Sequence, residues 1–260
     1  MSETATAEQL LQQGLFHHRQ GQIPLAMERY SEVLRVNPQN ADALYYIAVI
    51  ACQEGQYQQG IDLARRSLGY NRRQARAHNV IGQALHRLGK TKEALIAFDD
   101  ALECDANFAE AYGNRAEMLS ELGRHSEALS SFERALALNP DAVPDLINRG
   151  VLLQQLGRAE DALASFDKAD AVMPNNAAIL TNRGMALAVL GRHDEALAAL
   201  DRALALDASF AEAQRARAGV LEALGRPEEA RAALTKATEI EARMAEAREK
   251  ERAKDDKPPA

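Results

Sequence analysis

The sequence contains no tryptophan, and aromatic residues make up only 5% of its 260 positions. Strand-forming residues are scarce, whereas alanine, leucine, glutamate, arginine and glutamine, which favour helices, dominate. This composition predicts an all-α fold before any pattern is considered.

The sequence has only two cysteines and no long apolar run. The two cysteines, Cys52 and Cys104, form no C-x-x-C pair and no ligand cluster, which favours free thiols in a reducing compartment. No run of 18 apolar residues occurs, and the first residues lack the basic and apolar regions of a secretory signal. We therefore expect a cytoplasmic protein without a membrane span.

The sequence also lacks the features of nucleic-acid binding and of catalysis. Its net charge of −7 argues against a nucleic-acid partner, which requires a basic surface. No phosphate loop, H-E-x-x-H or G-x-S-x-G motif occurs, and His125 and His193 stand 68 residues apart in matching Gly-Arg-His tripeptides. We expect no enzyme activity, no cofactor and no metal site.

What the sequence does contain is a repeat. Seven glycines recur every 34 residues without an insertion: Gly21, Gly55, Gly89, Gly123, Gly157, Gly191 and Gly225. A small residue stands seven positions before each glycine and another stands five positions after it, and a bulky apolar residue follows nine positions after six of the seven. Each period holds two apolar stripes with helical spacing, which predicts two amphipathic helices joined at the glycine. One hairpin cannot bury both of its faces, so neighbouring hairpins must stack.

This pattern resembles the tetratricopeptide repeat, a 34-residue unit with small residues at positions 8 and 20, an aromatic at 24, alanine at 27 and proline at 32. The resemblance implies an α-solenoid of seven helix-turn-helix repeats in a right-handed superhelix, with an extended C-terminal capping helix that begins near Pro227. We expect a tail over residues 1–6 and a helix extension followed by a disordered tail over 245–260. With residue 7 as position one, the repeats are 7–40, 41–74, 75–108, 109–142, 143–176, 177–210 and 211–244.

The second repeat departs from the pattern. It carries Gly60, Ala64, Ser67 and Arg72 where alanine, an aromatic, alanine and proline are expected. These smaller residues predict that its second helix packs less tightly than the others.

The resemblance places the first helix of each repeat on a concave face, where positions 2, 5, 6, 9, 12 and 13 point into a groove. Position 6 is Asn114, Asn148 and Asn182 in three consecutive repeats. A side-chain amide can donate to and accept from one peptide unit of a bound chain. The row is similar to the asparagine ladder in the tetratricopeptide arms of O-linked N-acetylglucosamine transferases. Alternatively, asparagine is a tolerated polar residue on a solvated face.

The groove positions of repeats 5 and 6 are more apolar than the rest. They include Ile147, Val151, Met185, Ala188 and Val189. Apolar groove positions suit an amphipathic helix or a hydrophobic peptide, and a second copy of the chain could cover them equally well.

Charged residues form two further patterns. Arginine follows each asparagine of the row and continues into the last repeat, and acidic residues stand 18 positions later, which predicts either an ion-pair row along the stack or a contact with acidic partner side chains. Between Arg65 and Lys92 there are eight basic residues and no acidic one, which indicates either a solvated face or a patch that attracts an acidic partner or the acidic end of the chain itself. The arginines of this patch are Arg65, Arg66, Arg72, Arg73, Arg76 and Arg87.

These features favour a scaffold that binds a protein or peptide partner in its groove. Two alternatives are a substrate-recognition arm that serves a glycosyltransferase and a self-assembling structural unit, since a homo-oligomer is compatible with exposed repeat edges. The sequence does not name the partner, because the repeat family serves many partners.

Overall fold

The computed structural model describes residues 6–255, with side chains over residues 6–250. These residues form fourteen α-helices and no strand, which confirms the predicted all-α fold. The last helix begins at Pro227, as expected, and continues to Asp255. The predicted tails at residues 1–5 and 256–260 lie outside the described part of the chain. The helices are α1 (Ala7–Arg19), α2 (Ile23–Val36), α3 (Ala41–Gln53), α4 (Tyr57–Tyr70), α5 (Ala75–Arg87), α6 (Thr91–Cys104), α7 (Ala109–Glu121), α8 (His125–Leu138), α9 (Val143–Gln155), α10 (Ala159–Val172), α11 (Ala177–Val189), α12 (His193–Leu206), α13 (Ala211–Ala223) and α14 (Pro227–Asp255).

The chain divides into two compact bodies, residues 1–140 and residues 141–260. The N-terminal body contains repeats 1 to 4 and the C-terminal body contains repeats 5 to 7. Within each body the two helices of a repeat pack together, and first helices also contact one another along α3, α5 and α7 and along α9, α11 and α13. Second helices of neighbouring repeats make no comparable contact within either body's described residues. The first helices therefore share one inner surface in each body, called here the first-helix face.

The glycine at position 15 makes the tight turn between the two helices of every repeat. All seven of these glycines have positive φ values, from 70° to 79°, a conformation that costs little only for glycine. An identical turn in each repeat gives each helix pair the same geometry, which is why the 34-residue period runs without an insertion.

Within a repeat, a small residue at position 8 faces a bulky residue at position 24. A Cβ atom added to Gly82 would lie 2.5 Å from Phe98 Cε1, and one added to Gly150 would lie 2.5 Å from Phe166 Cε1. Both phenylalanines are almost completely buried. The ring therefore fills the space that the missing side chain leaves, as close packing of helices requires.

The second repeat packs closely, so the prediction of a looser second helix is wrong. Gly60 lies so close to α3 that an added Cβ would collide with Cys52 Sγ, and the thiol fills the space that the missing side chain leaves. Ser67 is fully buried, and its hydroxyl lies 2.6 Å from the Ala41 carbonyl oxygen and 2.5 Å from Gln74 Oε1. Closer backbone approach and satisfied hydrogen bonds compensate for the smaller side chains.

Candidate peptide-binding surfaces

An open groove of about 670 Å³ lies between the first helices of repeats 6 and 7. Small and apolar side chains line it: Met185, Ala188 and Val189 from α11, and Ala216, Gly219 and Ala223 from α13. The charged residues Glu212 and Arg215 stand at its edge. This surface is called the C-terminal groove. Its size and its mixture of an apolar floor with a few charges are typical of ligand sites.

Met185 and Val189 expose apolar surface on the same face of α11 as the Asn182 amide. Val189 is 72% exposed, the highest value for a large hydrophobic residue in residues 6–250. Asn182, Met185 and Val189 have the i, i+3, i+7 spacing that places side chains on one helix face. Asn182 makes no hydrogen bond with any group in the described residues. One face of α11 therefore offers both apolar contact and a donor–acceptor pair.

The groove edge is held by a contact between two helices. Arg215 of α13 pairs with Glu241 of α14, near the end of the last repeat. Glu212 forms no ion pair with any residue in the described chain. The two charges of the edge thus differ, because the arginine has a partner within the protein and the carboxylate is open to solvent.

The other predicted groove residues of the C-terminal body lie on α9. Ile147, Asn148 and Val151 are partly buried on this helix, on the first-helix face of repeat 5. They extend the mixed apolar and amide surface of α11 to the neighbouring repeat. The predicted apolar positions of repeats 5 and 6 therefore share one face, as the helical spacing indicates.

In the N-terminal body, Asn114 belongs to a network of polar groups on the first-helix face. Its Nδ2 donates to Asn79 Oδ1 at 2.9 Å, and Asn79 is itself buried. Asn79 Nδ2 and Gln83 Nε2 both donate to Glu110 Oε1, at 3.1 and 2.9 Å. Asn114 thus stabilises contacts between repeats 3 and 4, and part of its hydrogen-bonding capacity is already used.

A second pocket, of about 650 Å³, adjoins this network. Tyr57, Gln83, Arg87 and Asn114 are among the residues that line it. Polar side chains contribute more of its wall than in the C-terminal groove, which makes it better suited to a polar segment than to an apolar one.

Three arginines at position 7 form structural ion pairs, but in a different register from the predicted one. Arg115 Nε donates to Asp99 Oδ1 at 2.6 Å, and Arg183 and Arg217 make the same contact with Asp167 and Asp201. The acidic partner precedes the arginine by 16 residues, so the predicted pairing with an acid 18 residues later is wrong. It lies on the second helix of the preceding repeat, and the arginine therefore joins neighbouring repeats.

Serine anchors the same arginines where position 23 provides one. Arg115 Nη1 donates to Ser131 Oγ, and Arg149 Nη1 donates to Ser165 Oγ, both at 2.6 Å. Each serine is buried and bonds a backbone carbonyl of its own helix. These arginines are thus fixed within the repeat stack, and a partner would find little of their charge available.

The six arginines of the basic stretch are all exposed, but they do not lie together. Arg65 and Arg66 lie in the second half of α4, and Arg72, Arg73 and Arg76 lie in the following loop and the first turn of α5. Arg87 ends α5, about 16 Å along the helix from Arg76 at 1.5 Å per residue. Five arginines therefore surround the α4–α5 loop, and the sixth belongs to the opposite end of the hairpin.

Three tyrosines of α2 and α3 pack together. Tyr45 and Tyr46 of α3 are in edge contact, with ring centroids 4.9 Å apart, and Tyr46 stacks on the buried Tyr30. Burial raises the pKa of the Tyr45 hydroxyl, and the positive charge of Arg76 partly opposes this effect.

Two further kinds of site were sought. No three His, Cys, Asp or Glu side chains within the described chain lie close enough to hold a metal ion. None of the helices in residues 6–255 combines the length and the hydrophobicity that a membrane crossing requires.

Comparisons with known families agree with the repeat geometry. The family model described as "Tetratricopeptide repeat" matches residues 109–142, and a second model of the same description matches 147–209 and 181–253. This chain is a tetratricopeptide repeat protein. Its residues 19–101 match the model described as "Anaphase-promoting complex, cyclosome, subunit 3". No curated protein matches the sequence.

Solved structures show the same tetratricopeptide repeat fold. YrrB, described as a TPR protein with an unusual peptide-binding site, is 25% identical with a TM-score of 0.61, over 68% of this chain and 91% of YrrB. A tetratricopeptide repeat protein from Parabacteroides merdae is 19% identical with a TM-score of 0.63, over 90% of this chain and 93% of that protein. PilF of Pseudomonas aeruginosa is 18% identical with a TM-score of 0.66, over 79% of this chain and 98% of PilF. The last two likenesses concern the fold alone.

The residues of repeat 7 that complete the C-terminal groove were not predicted from the sequence. Groove positions 2, 5, 6 and 9 of this repeat are Glu212, Arg215, Ala216 and Gly219. The spacing of the earlier repeats also applies to them, but none is an asparagine or a large apolar residue. Small residues give the groove its depth and carry no chemical signal of their own.

Proposed function

We propose that this chain, as a tetratricopeptide repeat scaffold, binds a short apolar segment of a partner protein in the C-terminal groove. The observation that carries the proposal is one face of α11, where Val189 is 72% exposed and Asn182, two turns earlier on the same face, lacks a partner in the described residues. A bound apolar side chain would remove surface of Val189 and Met185 from water, at roughly 25 cal/mol for each Å². Exposed apolar groups in a concave site favour binding of this kind.

Polar groups around the groove would orient the segment. The Asn182 amide has a donor and an acceptor, so it matches one backbone peptide unit of an extended chain. The open carboxylate of Glu212 would attract a basic residue or an N-terminus of the segment. A groove that combines these contacts would recognise the backbone and the hydrophobicity of a bound segment more than one particular amino-acid sequence.

The asparagine row contributes to this proposal unequally. Asn182 offers its whole amide, whereas Asn114 donates to Asn79 in the N-terminal body. Binding of one extended peptide by all three asparagines stays a prediction, and the proposal depends on Asn182 alone. The peptide-binding site of YrrB supports the general class of partner.

The test uses the full chain as bait in a native lysate and compares three forms. Val189→Asp places a charge in the groove, and Val172→Asp makes the same change at a 40% exposed position of α10, outside the groove. We expect the groove variant to lose the captured partner, with affinity for its mapped peptide reduced about tenfold or more, as for hot-spot residues. The Val172→Asp variant should bind as the wild type does.

Asn182→Ala in the same assay measures the contribution of the amide. An unchanged set of partners for Val189→Asp would overturn the proposal. Captured glycosyltransferase that depends on Val189 would favour the recognition-arm alternative. Light scattering that grows with concentration and disappears in Val189→Asp would favour self-assembly through the groove.

A further inference from the structure

The five arginines around the α4–α5 loop carry positive charge that the protein does not neutralise. Their side chains are exposed, and no carboxylate in the described residues comes within 4.0 Å of any of them. The arginines at repeat position 16 behave differently, since each pairs with an acid three residues later. The loop cluster, as we call this set, consists of Arg65, Arg66, Arg72, Arg73 and Arg76.

The loop that carries the cluster is held in place by hydrogen bonds. The buried Ser67 hydroxyl contacts Gln74 Oε1 across the loop, and Gln74 Nε2 donates to Asp42 Oδ1 at 2.9 Å. The Asn71 side chain accepts from the Arg73 backbone N–H at 3.3 Å. Repeat 2 has these contacts where repeats 1, 4 and 5 have a proline after the second helix. The arginines therefore extend from a fixed backbone, which reduces the entropy lost when they bind a ligand.

Acidic residues near the cluster already have other partners. Asp42 accepts from Gln74, and Asp62 accepts from Gln58 Nε2 at 3.2 Å. Asp105, whose helix end approaches the loop through the Cys104 contact with the Arg72 carbonyl, accepts from the Asn107 backbone N–H at 2.9 Å. The positive charge of the loop cluster is therefore directed towards solvent.

The charge of the surrounding body limits what can bind. Residues 1–140 contain 14 basic and 17 acidic residues, and eight of the basic ones lie between Arg65 and Lys92, so the rest of this body carries −11. A long polyanion such as a nucleic acid would extend from the cluster over this negative surface and be repelled. A short anionic segment would stay within the cluster. Tyr70, half exposed beside the loop, adds the aromatic contact common at protein interfaces.

We infer that the loop cluster is a second interaction surface, which binds a short stretch of aspartate and glutamate side chains on a partner protein. Guanidinium groups pair with carboxylates through two parallel hydrogen bonds, and several of them on one loop can engage successive acidic residues. The surface lies in repeats 2 and 3 and does not involve the C-terminal groove. Its occupant can therefore be the groove's partner or a different protein.

The experiment measures binding of a fluorescein-labelled 12-residue peptide rich in glutamate and aspartate to the full chain at about 0.1 M salt. The cluster variant is Arg66→Glu, Arg72→Glu and Arg73→Glu combined. The matched control is Arg19→Glu, Arg35→Glu and Arg134→Glu combined, because these three arginines are also exposed, unpaired in the described chain and in the same body. Both variants change the net charge of the protein by the same amount.

We expect the cluster variant to weaken binding about tenfold or more and the control to change it by less than about twofold. Equal weakening by both variants would overturn the inference, since only the total charge would then matter. Tighter binding of a single-stranded DNA of equal charge would also overturn it, as would wild-type self-association that the cluster variant abolishes. Circular dichroism melts check that both variants fold, and Arg→Gln versions replace any that do not. Val189→Asp should leave this binding unchanged, so the inference stands or fails separately from the proposed function.

Discussion

The contact between positions 8 and 24 can be tested with single glycine substitutions. Gly150→Ala would force the Phe166 ring to move, and overpacking of this kind costs about 1–3 kcal/mol. We expect the lower end of that range, because repeat 4 already combines Ala116 with a buried Phe132. Urea unfolding with and without the substitution measures the change.

Gly219→Ala is the matched control in the same body. An added Cβ at Gly219 meets no atom within 4 Å, so the substitution should stabilise helix α13 by about 0.5–1 kcal/mol. Equal shifts of the unfolding midpoint for the two variants would show that the position-8 contact has no special importance.

For single residues, the sequence predicts which repeat positions must be small or bulky, but not which polar side chains form hydrogen bonds with one another. The asparagine row is a single pattern in the sequence, yet Asn114 bonds Asn79 and Asn182 bonds nothing in the described residues. The difference depends on the neighbour at position 5 of the preceding repeat, which is Asn79 for the first and Ile147 for the last. Such pairs across repeats could have been read from the register once the groove positions were assigned.

Helices of neighbouring repeats are joined by the arginine at position 7, and its contribution can be measured with a double-mutant cycle. We expect Arg115→Ala and Asp99→Ala to couple by about 0.5–1 kcal/mol, because the pair is partly exposed. The coupling should decrease at high salt. The same cycle on Arg124 and Glu127, a more exposed pair within one turn, should give a smaller value. Absence of coupling between Arg115 and Asp99 would show that the pair orients neighbouring repeats without adding to the free energy of unfolding.

The sequence predicts the helices well because the period fixes both their length and their ends. It was misleading for the second helix of repeat 2, where side-chain volume alone suggested loose packing. Backbones can approach when Gly60 faces Cys52, and this adjustment follows from the distance between two helices, not from either residue alone. The C-terminal extension of α14 was predictable, since no glycine or proline interrupts residues 228–255.

For the whole molecule, the division into bodies predicts that each part folds independently. Three or more stacked repeats can bury a continuous core, and the bodies contain four and three repeats. We expect residues 1–140 and residues 141–260, expressed separately, each to give a helical circular dichroism spectrum and a cooperative melt. Residues 177–260, with two repeats, should melt without cooperativity. An unfolded 141–260 fragment would contradict this account of the chain.

Composition and spacing were sufficient for the fold class of the whole chain, and insufficient for its binding surfaces. The basic stretch illustrates the reason: its residues are consecutive in sequence, but α5 carries Arg87 far from the loop cluster. Adjacency in a solenoid follows the repeat period, so residues 34 positions apart can be closer in space than residues 11 positions apart.

The ion pairs at position 7 also determine which repeats are interchangeable. Position 7 is Ile47 and Ile81 in repeats 2 and 3 and arginine from repeat 4 onward. A copy of repeat 6 inserted after itself would present Arg183 to Asp201 and preserve the charge match. A copy of repeat 2 in that place would leave Asp201 without its arginine and set Arg65 against Arg217. Growth of such a chain by gene duplication is therefore directional: the later repeats can multiply in tandem, whereas the early ones are restricted to the start of the array.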